Sequence, residues 1–131
     1  EKYHTKMVDY ECQIDGEKYK VEFINRVEYW ELLYFIWDED IKNWSVTKMV
    51  NKSPYKTIEK VFGEILNRFI KEWNPIKIII EGLPREREKE YVSLRTKLYL
   101  RYLRTHPPIG MYIFSPKVDP VNNKIVLISK G

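Results

Sequence analysis

The amino-acid sequence predicts an α+β domain, a single mixed sheet with two helices in the order β-β-β-β-α-β-α-β-β. Three observations carry that prediction. Period-2 alternation fills the first fifty residues, a long apolar repeat of helical spacing follows Ser53-Pro54, and an isoleucine-rich run stands between that repeat and a second helical pattern.

The elements follow in order. Tyr10, Cys12 and Ile14 alternate with polar neighbours, as do Tyr19, Val21 and Phe23. Asp15-Gly16 between them is a hairpin signal, because both residues tolerate positive φ. Tyr29 to Trp37 is apolar or aromatic on both alternating faces except at Glu31, the pattern of a central strand covered on both sides. A weaker fourth strand, Trp44 to Val50, follows the acidic turn Asp38-Glu39-Asp40. Ser53 is placed to cap a helix with Pro54 at its first position. From there Ile58, Val61, Phe62, Ile65, Leu66, Phe69, Ile70 and Trp73 keep one apolar face until Asn74-Pro75. Ile76 and Ile78 to Ile80 then form a short strand ending at Gly82. Strand, helix and strand in succession predict a crossover with parallel pairing, so the segments flanking the Ser53-Pro54 helix are expected side by side in one sheet. A second helix runs from Pro84 to His106-Pro107-Pro108, and strands at Met111–Phe114 and Lys124–Ile128 close the chain.

Composition bounds the chemistry. A chain of 131 residues, 44% hydrophobic and 32% charged, has the length of one domain and enough apolar surface for a core. With Cys12 alone, a disulfide framework and a multi-cysteine metal site are excluded; with only His4 and His106, so is a histidine-rich one. No apolar run approaches the ~18 residues of a membrane span, and Glu1-Lys2-Tyr3-His4 does not resemble a secretory leader. A reducing cytoplasm is the expected compartment. Alanine is absent while lysine, glutamate, isoleucine and tyrosine are abundant, as an A+T-rich genome or a hot habitat would produce. Charge is uneven: residues 1–83 carry 13 basic and 15 acidic side chains, residues 84–131 carry 10 and 4. The positive excess therefore lies in the C-terminal third.

On the second helix Tyr91, Leu94, Leu98 and Tyr102 form one stripe, edged by Val92, Tyr99 and Leu103. Lys97, Arg101 and Arg104 project from the other side as a basic ridge, either a solvated face or a contact for nucleic acid. Arg95 falls within the apolar stripe. A guanidinium there either snorkels to an edge, pairs with an inward carboxylate such as Glu31, or holds an anionic ligand or partner group.

The order of elements, with Val61-Phe62-Gly63-Glu64-Ile65-Leu66 on the first helix, Arg95-Thr96-Lys97-Leu98-Tyr99 on the second and the 76–80 strand between them, resembles the C-terminal half of the GNAT (GCN5-related N-acetyltransferase) fold. More closely, it resembles a small GNAT-like domain that recurs in phage and viral genomes. The resemblance covers about residues 44–114 and is one of pattern. It implies an acyl-CoA site where strands splay into the first helix, with backbone amides around the pyrophosphate. The corresponding loop, Met49 to Thr57, has no glycine, and Pro54 removes an amide donor; Lys52, Ser53 and Lys56 are its candidate cofactor contacts. Tyr99 stands where the family often keeps a general-acid tyrosine. The two-helix segment usual after the first strand of full GNAT enzymes has no counterpart.

Three functions follow. The foremost is a viral GNAT-like domain, of a phage or an archaeal virus, without an intact acyl-CoA loop and without a cofactor, which binds a host protein or nucleic acid. The second is an acyl-CoA-dependent N-acyltransferase using acetyl-CoA. The third is a structural, homo-oligomerising viral protein, for which the tyrosine and tryptophan content is suited. No Walker-type loop or Gly-x-Ser-x-Gly elbow occurs. The Asp38-Glu39-Asp40 turn reads as solvated rather than as a metal site.

Overall fold

A computed structural model describes residues 6–45, 54–81, 94–113 and 124–131. Seven strands, β1 (Met7–Ile14), β2 (Glu17–Asn25), β3 (Trp30–Asp38), β4 (Asn43–Ser45), β5 (Lys77–Glu81), β6 (Met111–Ile113) and β7 (Lys124–Ser129), share one mixed sheet. Two helices accompany them. The first, α1, runs without a break through Tyr55–Ile58, Glu59–Ile65 and Leu66–Trp73; the second, α2, spans Leu94–Thr105. The class and the order of elements are those the sequence predicts.

Strand order is β1-β2-β3-β5-β7-β6, with β4 beside β3 off that path. The β1–β2 hairpin closes at Asp15 and Gly16, both at positive φ, with Ile14 opposite Glu17. That is the backbone a two-residue primed turn requires. The parallel crossover exists, but its partners differ from expectation. Trp30 to Leu32 of β3 pair in parallel with Ile78 to Ile80 of β5, while β4 runs antiparallel to β3 at Ile36 to Asp38. The described part of the segment before the helix is thus a hairpin return on β3, and the parallel partner of β5 is β3. Both β4 and β5 use the same edge of β3, because β2 occupies the other.

One apolar core joins the sheet to both helices. Val21, Phe23, Leu32, Ile78, Ile80, Ile125 and Leu127 meet Ile58, Val61, Phe62, Ile65, Leu66 and Phe69 of α1, with Tyr99, Leu100 and Leu103 of α2 beside them. Phe23 and Phe69 stack with centroids 3.8 Å apart. Both α1 and α2 share that face, and among the described residues no helix covers the other side of β3 as the sequence pattern implies. Leu33, Phe35 and Trp37 there remain half-buried. The Lys20 ammonium lies 5.4 Å from the centre of the Phe35 ring and 4.9 Å from that of Trp44, so aliphatic and cationic atoms cover part of that surface.

The central stretch of α1, Glu59–Ile65, is a π-helix in which Leu66 N–H reaches back five residues to Val61 O. The sequence periodicity gives no sign of this wider turn, because the buried positions keep helical spacing through it. Gly63 sits in the stretch, and Tyr102 of α2 packs directly on it. The Asn67 side chain donates to Gly63 O and accepts from Ile109 N–H at 3.0 Å. It thereby ties the helix to the loop leading into β6, satisfying polar groups that packing would otherwise strand. The N-terminus of α1 begins one residue later than expected: Pro54 precedes the first helical residue, and its carbonyl accepts Ile58 N–H at 3.0 Å.

Candidate functional site

The site the sequence points to lies where β3 meets the start of α1. On one edge β3 pairs with β5 up to Leu32 and with β4 from Ile36 onward. Tyr34 stands between these two stretches, and its side chain lies on the helix-covered face.

Hydroxyl groups gather around Tyr34. Tyr34 and Tyr99 share a hydrogen bond of 2.5 Å with their rings edge-to-face. Thr57, in the first turn of α1, donates to the Tyr19 hydroxyl at 3.3 Å. Strand pairing makes Tyr19 and Tyr34 diagonal neighbours, since Tyr19 faces Ile36 and Val21 faces Tyr34. Burial pushes the Tyr19 phenol up, and the Thr57 hydrogen bond opposes that only in part. A neutral phenol, as donor and acceptor, is therefore what Tyr19 presents at ordinary pH.

The predicted residues are distributed as follows. Tyr99 is 3% exposed, its ring 4.6 Å from that of Phe62, so it belongs to the core as well as to the hydroxyl cluster. Lys56 is exposed and pairs with Asp15 of the hairpin turn at 3.1 Å. This pins the start of α1 to the β1–β2 turn, and a surface pair of this kind is weakly stabilising. Lys52 and Ser53 lie outside the described residues, as does the side chain of Arg95. Glu31, one carboxylate considered for Arg95, is on the opposite face of the sheet, 3.5 Å from Arg26.

Helical phase explains the rest of α2. Tyr99, Leu100 and Leu103 are buried while Leu98 and Tyr102 are half-buried, so the buried stripe is centred about one position further on than the sequence reading placed it. Lys97, Arg101 and Arg104 are all exposed and form the expected outward ridge. At the end of the helix Tyr102 stacks on His106, centroids 4.5 Å apart, and the Tyr102 phenol is pushed up by burial. In the acidic turn, Glu39 accepts from the Trp37 indole at 2.7 Å and from Lys42 at 3.2 Å. These donors hold its carboxyl below the usual range. Among the described residues no three His, Cys, Asp or Glu side chains converge on a common point.

A second polar constellation, invisible in the sequence, links β1 to α1. The Tyr10 hydroxyl donates to Glu72 at 3.1 Å, and Arg68 reaches the same carboxylate at 2.9 Å while its guanidinium lies 5.2 Å from the Tyr10 ring centre. The i, i+4 spacing of Arg68 and Glu72 was legible, but the contribution of Tyr10 comes from a strand sixty-two residues away. Comparison with known protein families, with characterised proteins and with solved structures finds no match for the chain.

Proposed function

We propose that the chain is a small GNAT-like domain, of the kind that recurs in phage and other viral genomes, and that it works by binding a polyanionic partner rather than by acyl transfer. One observation carries this reading. The helix that turns Tyr99 inward, to the Tyr34 hydroxyl and the core, turns Lys97, Arg101 and Arg104 outward together. A general acid must reach a leaving group on a substrate, whereas Tyr99 is nearly inaccessible and already bonded. A row of long cationic side chains on a helix suits phosphates, and its affinity for them is dominated by counterion release. Nucleic acid is the partner to test first, by titrating labelled oligonucleotides at several salt concentrations. A host protein with an acidic surface is the alternative that remains if oligonucleotides fail to bind.

A second reading, an acetyl-CoA-dependent N-acyltransferase, is favoured by the pairing of β3 with β5. A parallel strand pair joined through a helix is what the resemblance requires beside a slot that takes a pantetheine arm. Calorimetric titration with acetyl-CoA tests it. Saturable binding that Lys56→Ala weakens supports the enzyme, and no heat at millimolar ligand removes it.

A further inference from the structure

The end of the sandwich opposite the start of α1 carries a hollow of about 200 Å³ between the β2–β3 loop and the turn from α1 into β5, walled by Tyr29, Trp30, Trp73 and Pro75. That is below the ~300 Å³ at which small-molecule pockets begin and leaves room for a side chain of a partner. Its walls are braced: Trp30 lies 5.0 Å from Phe69 and 5.8 Å from Trp73, centroid to centroid. Beside the hollow stand two aliphatic knobs, Val27 at 92% exposure and Ile76 at 77%. Val27 is held at φ 76°, a conformation that β-branched residues rarely adopt. The loop keeps it there through Val27 N–H to Asn25 Oδ1 at 2.9 Å and Arg26 N–H to Tyr29 O at 2.8 Å. Backbone strain of this kind persists where the surroundings impose it, often at binding surfaces.

We propose that this end is a two-fold interface between two copies of the chain, the Val27 knob of each entering the hollow of the other. The charges select this occupant. The same rim carries one anion and one cation, Glu28 on the loop side and Lys77 on the strand side, and neither makes an ion pair among the described residues. In a two-fold contact the same patch meets itself, so residue i of one copy faces residue j of the other, and the reverse. Knob then meets hollow, and Glu28 meets Lys77, twice.

The test is sedimentation velocity over a wide range of chain concentration. The wild-type chain is expected to dimerise. E28K or K77E alone sets like charges against each other at both contacts, and association weakens by about a hundredfold, roughly tenfold per pair. An equimolar mixture of E28K and K77E restores the dimer, since position 28 of each chain then meets an opposite charge at position 77 of the other. Val27→Gly is the folding control: glycine accepts the positive φ, so the monomer stays folded while dimerisation is lost. A wild-type chain that stays monomeric at millimolar concentration overturns the proposal. So does a mixture that stays monomeric, or a Val27→Gly chain that dimerises as tightly as wild type.

Discussion

The hydroxyl oxygens of Tyr34 and Tyr99 stand 2.5 Å apart, joining the middle of the sheet to α2 between the stretches of β3 that pair with β5 and with β4. Each phenol satisfies the other in a part-buried setting. Tyr34→Phe or Tyr99→Phe leaves the surviving hydroxyl without that partner, and either change should lower stability by about 1–2 kcal/mol. The double variant should lose less than the sum of the two. Urea denaturation of the three variants checks this, and full additivity would show that the hydrogen bond contributes nothing.

Gly63 and Tyr102 give a sharper test of packing. A β-carbon added at Gly63 would lie 2.5 Å from the Tyr102 hydroxyl and 3.6 Å from the ring carbon that bears it. Gly63→Ala should therefore destabilise by about 1–3 kcal/mol through overpacking. Removing the hydroxyl removes the clash, after which alanine's better helix propensity, worth up to ~1 kcal/mol, is left to act. In a Tyr102→Phe background the same Gly63→Ala change should be neutral or stabilising. Thermal unfolding of the four chains reads this reversal of sign directly.

The Tyr10–Glu72–Arg68 group predicts a dependence on pH at both extremes. Burial and the hydrogen bond to Glu72 raise the Tyr10 phenol to about 12. The unfolded chain then ionises at the ordinary value of about 10 while the folded one does not. The contribution of Tyr10 to stability is complete below that value and is lost as pH rises through the folded pKa. Arg68 and Tyr10 hold Glu72 below the ordinary carboxylate value, so its contribution is present above that value and fades as pH falls through the folded one. Denaturant unfolding of wild type and Tyr10→Phe from pH 8 to the alkaline limit should converge toward high pH, because phenylalanine cannot ionise. Parallel curves would exclude the linkage.

The strong periodicities made the fold legible. The Asp15-Gly16 turn, the 58–73 apolar face and the isoleucine strand each combine a local pattern with a matching breaker, and each is where the sequence places it. What the sequence hid depends on contacts between distant segments. The parallel partner of β5 is β3 rather than β4, because a strand that returns antiparallel and one that crosses over look alike until pairing is known. The π-turn around Gly63 preserves helical spacing and is recognised only through Tyr102. Tyr99 shows the same limit: its sequence position fits both a general acid and a core residue, while its bond to Tyr34 and its contact with Phe62 are visible only in the fold. The basic ridge was readable because three cations at helical spacing project from one side whatever the helix packs on.

The salt dependence of oligonucleotide binding tests the central claim most directly. Fluorescence anisotropy would compare the wild-type chain with Lys97→Gln/Arg101→Gln/Arg104→Gln as salt is raised. If the ridge of α2 meets phosphates, the wild-type affinity falls steeply, and the triple variant binds more weakly with a log–log slope shallower by about 2 to 3. Equal affinity and equal slope for the two chains would contradict the account.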